Sequence, residues 1–355
     1  MAFVEGHSAN YGIGSLPVWL ESGYVTSGAT PIDPDYNAGL VPYRKGGRVA
    51  GGYEYCWRIS NVSGWASPQF AVALTDGIYS FLFGTEGVAV MFVATEWSLY
   101  AADGTKIVRI KPDTSVNSPA LNCACGDALA TSAVTTDVLT GGVVQQIDIR
   151  FKSGAAGRFE VRINLGAWFV IVADGNATTC TKDVSQWYAH NNNTFPMDLL
   201  AFWYGDDPDN DDFGLVWSEV CPLNAVSQAG SYAATTTTIP ADTAPPYNQA
   251  TAALTLTDPP IALKCSVDWA TGIEAGFAPP AYGILAIDAV GVPSGDGSLL
   301  SCDIGVASGG TGVITTDAVS VTPIIQRCVA VVDPDTGVTW DNTAGDAALV
   351  TMDAS

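Results

Sequence analysis

At 355 residues the chain is long enough for one large or two ordinary domains with a sizeable core. Hydrophobic residues make up 48% and charged residues 14%, which excludes a disordered chain and leaves a surface carried by Thr, Ser, Asn and Gly, as on strands rather than helices. The formal net charge of −22, from 36 acidic and 14 basic residues without a Lys/Arg cluster, argues against nucleic acid and suits a concentrated or repeated assembly that must stay soluble.

The opening stretch "MAFVEGHSANYGIGSL" is interrupted by Glu5, His7 and three glycines, so a secretory leader is not expected. Runs such as "AWFVIVA" have strand length, short of the ~20 residues a bilayer span needs, and no membrane partner is expected. Apolar residues alternate or cluster in short runs closed by Gly, Pro, Asn and Asp, which predicts strands nearly throughout. The first are "YEYCWRIS" (53–60), "FAVAL" (70–74), "YSFLF" (79–83) and "VAVMFVA" (88–94). Next, "WSLYAADGTKIVRI" (97–110) predicts a hairpin turning at Asp103-Gly104, with Leu99 facing Ile107 or Val108.

In "VVQQIDIRFKS" (143–153), Ile147, Ile149 and Phe151 alternate with Gln146, Asp148 and Arg150, which predicts a sheet with one dry and one wet face. In "RFEVRINLGAWFVIVADG", Phe159, Val161 and Ile163 share a face, "NLG" turns, and Trp168, Val170 and Val172 return. A further strand pair, "DLLAFWYG" and "FGLVWSEV", flanks the acidic connection "YGDDPDNDDFG" (204–214). Residues 223–250 are rich in Ala, Thr and Pro and predict a linker or an extended arm. Short strands resume at 251 and run to 355, with "DPDTG" (333–337) as a type I turn followed by a left-handed glycine. The expected organisation is a first domain over 1–222, the linker, and a C-terminal β-sandwich over 251–355.

The order of strands from about 140 to 222, above all Trp203–Gly205 and Trp217–Val220, resembles the second half of a concanavalin A-like, laminin G-like jelly roll. Together with "ASGGTGVITTDAVSVTPIIQRCVAVVDPDTGVTW" (307–340), which carries an "SGG…DP.TG..W" pattern, the chain resembles two-domain virion structural proteins of tailed bacteriophages; the first 50 residues fall outside the likeness. The resemblance implies an all-β fold, a jelly-roll (concanavalin A-like) sandwich followed by a smaller β-sandwich. It implies a virion component assembled in the host cytoplasm, partnered by other virion proteins as a homo-oligomer, trimers being common for such appendages. As a surface-displayed fibre or adhesin it would meet host surface glycan. As a capsid or tail decoration protein it would make protein contacts alone.

Jelly rolls of this kind include glycoside hydrolases, which place catalytic carboxylates in an E-x-D-x-x-E string. No such string occurs here; Asp148 and Glu160 stand alone on polar strand faces and are expected to be solvated. His7 and His190 are the two histidines, no nucleophile elbow or phosphate loop is present, and no catalysis is expected. The eight cysteines match no zinc spacing and are expected as free buried thiols, a Cys180–Cys221 pair being the alternative.

Trp187 and Tyr188 stand in "WYAHNNNTF" with His190 and Asn192, a stretch expected to be a polar loop and hence a candidate glycan site, since sugar rings stack on exposed aromatics. The alternative is that Trp187 tucks beneath the loop or packs on a neighbouring subunit. Asp206, Asp207, Asp209 and Asp211 are candidate calcium ligands. Asp207, Asp209 and Asp211 match the first three EF-hand positions, but Asp212 replaces the glycine and Ser218 the bidentate Glu, so a solvated acidic turn is the expected account.

Overall fold

A computed structural model describes residues 3–8, 25–27, 30–32, 56–59, 63–67, 69–70, 72–85, 95–113, 119–140, 145–191, 197–208, 223–229, 261–267, 287–291, 302–308, 312–315, 326–340 and 348–354. The described residues are all-β, and every strand pair among them is antiparallel. The chain divides into two compact units, one of Met1–Ala9, Gly23–Lys45 and Glu54–Ser218, the other of Asn10–Ser22, Gly46–Tyr53 and Glu219–Ser355.

The first unit is a jelly-roll sandwich. One sheet contains β1 (Phe3–Ser8), β3 (Thr30–Ile32), β4 (Cys56–Ile59), β6 (Asp76–Thr85), β11 (Gln145–Lys152), β12 (Gly157–Ile163), β13 (Phe169–Asn176) and β15 (Met197–Gly205). Its order is β13-β12-β11-β6-β15-β4-β3, with β1 also on β15. The other contains β2 (Val25–Ser27), β5 (Ser63–Ala66), β7 (Thr95–Tyr100), β8 (Lys106–Pro112), β9 (Ala120–Cys125), β10 (Thr131–Val138) and β14 (Gln186–Asn191), in the order β10-β9-β8-β7-β14-β5-β2. The chain crosses repeatedly from sheet to sheet, so sequence neighbours such as β14 and β15 lie in opposite layers.

Strand parity decides which side chains meet between the layers. Phe81 and Phe83 of β6 approach Trp97 of β7, with ring centroids 5.5 and 4.7 Å apart. Trp187 of β14 stacks on Phe202 of β15 at 4.7 Å, and Phe70 stacks on Tyr204 at 3.9 Å. Each such side chain removed from water contributes about 1.5–3 kcal/mol, so this aromatic seam holds the two sheets together.

Two turns form as their residues dictate. Between β7 and β8, Gly104 takes φ 80° and donates its N–H to the Ala101 carbonyl, and the arms pair Leu99 with Val108, the second of the two expected partners. Between β12 and β13, Asn164 and Leu165 both take positive φ, and Gly166 donates back to the Ile163 carbonyl.

Three expectations change. "FAVAL" is not a strand: Leu74 makes one isolated bridge to Val184, while Val72 is 72% exposed, so the run supplies Phe70 to the seam and then leaves the core. Trp168 precedes β13 instead of lying within it. The polar side of β11 is dry: Gln146 and Asp148 are buried, because β11 lies between β6 and β12 and its polar groups satisfy one another. "VAVMFVA" and "FGLVWSEV" lie outside the described residues.

The second unit is the smaller sandwich. Its larger sheet contains β16 (Leu223–Ala229), β17 (Ile261–Val267), β19 (Cys302–Ala307), β20 (Val313–Thr315) and β22 (Leu349–Ala354), ordered β16-β17-β22-β19-β20. A second pair joins β18 (Ile287–Gly291) to β21 (Gln326–Ala330). The stretch expected to open a linker at 223 therefore begins as strand β16. Ile287, Val306, Cys328, Ala330, Trp340 and Ala348 form the core. "VTW" is a turn exit rather than a strand, and Trp340 anchors it by donating Nε1–H to the Ala330 carbonyl at 2.8 Å. "DPDTG" turns as expected, with Gly337 at φ 70° and its N–H donating to the Asp333 carbonyl.

Candidate functional site

Because Trp97, Leu99, Trp187 and Ala189 point into the seam, the alternate residues of β7 and β14 point outward. Register then lays out the outer face of the seven-stranded sheet. Ser98 stands opposite Tyr188 on one side and Arg109 on the other; Glu96 stands opposite His190; Tyr100 stands opposite Gln186 and Lys106. Arg109 and Lys111 stand opposite Ala124 and Asn122 of β9.

The aromatics of this face form one half-buried group. Tyr188 and His190 are stacked at 6.0 Å, Tyr100 meets Tyr188 edge-on at 5.9 Å, and the Lys106 ammonium lies 5.7 Å from the Tyr100 ring. Beside them Glu96 accepts hydrogen bonds from Ser98 Oγ, at 2.8 Å, and from Lys106 Nζ. Burial would raise the Glu96 carboxyl, but those hydrogen bonds and the Lys106 and Arg109 charges outweigh it and hold the carboxyl below its usual range. Burial likewise would lower Lys106, and Glu96 reverses it, so both members stay charged. Burial pushes the Tyr188 hydroxyl up, so that it remains a neutral donor and acceptor. The face offers ring surface, a fixed carboxylate, hydroxyls and fixed cations.

Two of the sequence candidates, Tyr188 and His190, are on this face. Trp187 is not: the expected loop is strand β14, and parity turns the indole inward, where it is fully buried against Phe81 and Phe202. Asn192 lies outside the described residues. Glu96, Tyr100, Lys106 and Arg109 were missed: alternation around Trp97 and Leu99 in "TEWSLY" was the signal for Glu96 and Tyr100, and alternation with Val108 and Ile110 the signal for Arg109, whereas Lys106 comes opposite Tyr100 through a register shift that no alternation shows.

At the acidic turn, Asp206 is exposed, Asp207 is partly buried and Pro208 is buried; Asp209 and Asp211 lie outside the described residues. Among the described residues no group of three His, Cys, Asp or Glu side chains could hold a metal ion. The thiols of Cys123, Cys125, Cys180 and Cys328 are buried, Cys328 donating to the Ile314 carbonyl, and burial pushes the Cys125 and Cys180 thiols up to about 12 and about 11, so they stay protonated and inert.

Asp148 departs from the solvated acid expected. Its carboxylate accepts from Arg162 Nε at 2.6 Å and from Gln146 Nε2 at 2.8 Å, with all three side chains buried. The guanidinium carbons of Arg162 and Arg150 lie 4.4 and 4.2 Å from the Trp168 ring centroid, and Arg150 pairs with Glu160 at 3.7 Å. Burial raises the Asp148 carboxyl against the opposing pull of Arg162. These contacts tie β11, β12 and the β12–β13 turn together.

No protein-family model and no curated protein matches the chain. Among solved structures similar to it are the metal-free carbohydrate recognition domain of Emp46p, at 9% identity and TM-score 0.36, covering 56% of this chain and 94% of that one. The globular domain of T. cruzi calreticulin has 6% identity and TM-score 0.38, with 58% and 89% covered. The CBM2 module of the evolved Dit of Lactobacillus casei BL23 phage J-1 has 10% identity and TM-score 0.36, with 58% and 95% covered. Likeness at this level assigns no role to any residue of the outer face.

Proposed function

We propose that the first unit is a carbohydrate-binding module without catalytic activity, and that the chain is a surface-displayed fibre or adhesin component of a tailed-phage virion. The observation that carries the binding reading is the Tyr100–Tyr188–His190 group. Half-buried ring surface lies beside the charged pair of Glu96 and Lys106, a stacking plane next to hydrogen-bonding groups as a pyranose requires. Three of the described strand carboxylates are each engaged by a cation: Glu96 by Lys106, Asp148 by Arg162 and Glu160 by Arg150.

The virion reading is supported by the sequence resemblance over 307–340, whose residues have structural work in the second unit. A Cβ on Gly312 would stand 2.1 Å from the Pro334 carbonyl oxygen, and Gly312 donates its N–H to Asp335 at 2.7 Å. Gly312, two residues beyond the pattern's "SGG", and the pattern's Asp-Pro turn are thus two halves of one contact.

Decoration through protein contacts alone is the second reading. Val134 and Val138 on edge strand β10 and Val170 on edge strand β13 are exposed, as at a surface that packs on a neighbour. Glycan-array binding of the wild type and of Tyr188→Ala separates the two: loss of a wild-type signal in the variant supports the carbohydrate reading, and no wild-type binding at high concentration refutes it. Labelled antibody on intact particles tests the virion assignment. Calcium enters only at Asp206–Asp211, where titration calorimetry without heat would remove it.

A further inference from the structure

The outer face of the seven-stranded sheet differs in charge from the molecule that carries it. In a chain of 36 acidic and 14 basic residues, β8 alone directs three cations to this face, Lys106, Arg109 and Lys111. Among the described outward positions of β7, β8, β9 and β14 the carboxylate is Glu96, with Asp113 one step beyond the end of β8. Glu96 is already committed to Lys106.

Arg109 and Lys111 are therefore the surplus. Lys111 is exposed, and neither has an ion-pair partner among the described residues. Arg109 is half-buried between Ala124 and Ser98, and its Nε is buried with no hydrogen-bond partner. A desolvated donor left unmet costs about 1–3 kcal/mol, which a ligand oxygen would recover.

Tyr188 is two strands from Arg109, across Ser98. At about 4.8 Å per strand the ring and the guanidinium are roughly 10 Å apart, the span of one pyranose with a substituent. We propose, resting on the carbohydrate reading above, that the saccharide taken by this face carries an acidic substituent, a carboxylate, sulfate or phosphate. Its ring lies on Tyr188 and Tyr100, and its anionic oxygens are held by the Arg109 fork and Lys111. Arg suits the role because its planar donors match two oxygens of one acidic group. The overall charge of −22 repels polyanions at a distance, so capture depends on this local site and not on the protein's general field.

The test is an array of neutral, uronic-acid, sulfated and phosphorylated oligosaccharides, probed with wild type, the double variant Arg109→Gln/Lys111→Gln, Tyr188→Ala, and Lys152→Gln on the opposite sheet as a charge control. The expected result is that the bound members are acidic and that the double variant weakens them about tenfold or more, as loss of a charged hydrogen bond does. Lys152→Gln should leave binding unchanged, and equal melting temperatures should show that each variant folds. Which acidic class binds identifies the substituent. Binding of neutral members with no effect of the double variant overturns this inference and leaves the carbohydrate reading standing. Binding of none overturns both.

Discussion

At the scale of single residues, the two tryptophan-bearing stretches show how parity separates structure from function. Trp187 and Tyr188 are adjacent, yet one holds the sheets together and the other faces outward. Trp187→Ala should cost about 3–5 kcal/mol in chemical denaturation, the range for emptying a buried aromatic site, whereas Tyr188→Ala should cost far less. Equal losses would contradict the assignment of faces.

The half-buried Glu96 and the buried Asp148 act in opposite directions with pH. Glu96 is held below its usual range, so its stabilisation is present above the unfolded carboxylate range and is lost as pH falls through its folded value. Asp148 is raised, so the native state binds its proton more tightly than the unfolded chain, and its contribution declines as pH rises from the unfolded towards the folded value. Denaturation followed between pH 3 and pH 7 should show a shallower loss of stability towards acid for Glu96→Gln than for wild type. Asp148→Ala, which strands a buried Arg162, should lose about 3 kcal/mol or more at pH 7. A loss below about 1 kcal/mol would mean that the pair is solvated.

At the scale of elements, local chemistry was legible where a turn or an alternation imposed it. Asp103-Gly104 announced the β7–β8 hairpin, and "DPDTG" announced its turn, because positive φ at Gly104 and Gly337 leaves little choice of residue. The shared face of Phe159, Val161 and Ile163 was equally plain from period-two spacing. What a single strand could not reveal was its neighbours. The polar face of β11 looked wet because alternation shows two faces but not what covers each; Arg162 of β12 supplied a partner for Asp148, and Gln146 met Asp148 along β11 itself. "WYAHN" looked like a loop because its polar residues mark an outer sheet face as readily as a turn. The candidate face joins the β7–β8 hairpin (Thr95–Pro112) to β14 (Gln186–Asn191), distant in sequence, which strand pairing alone brings alongside. Gly312→Ala tests another such long-range contact: with the Pro334 carbonyl in the way, the second unit should lose about 1–3 kcal/mol by thermal or chemical unfolding. Gly104→Ala, with open space around it and only positive φ against it, should lose about 1 kcal/mol.

At the scale of the whole molecule, the composition already favoured strands, and the described residues of both units are all-β. The excess of acidic residues did not reveal that the outward residues of β8 reverse its sign locally. The reading proposed here locates the function on one face of one sheet, so it can be tested by location. Hydrogen–deuterium exchange should be followed on the full chain with and without a saccharide selected from the array. The account predicts added protection in β7, β8 and β14 and none in β11 and β12 of the opposite sheet. Protection confined to the opposite sheet or to the second unit, with β7, β8 and β14 unchanged, would contradict it.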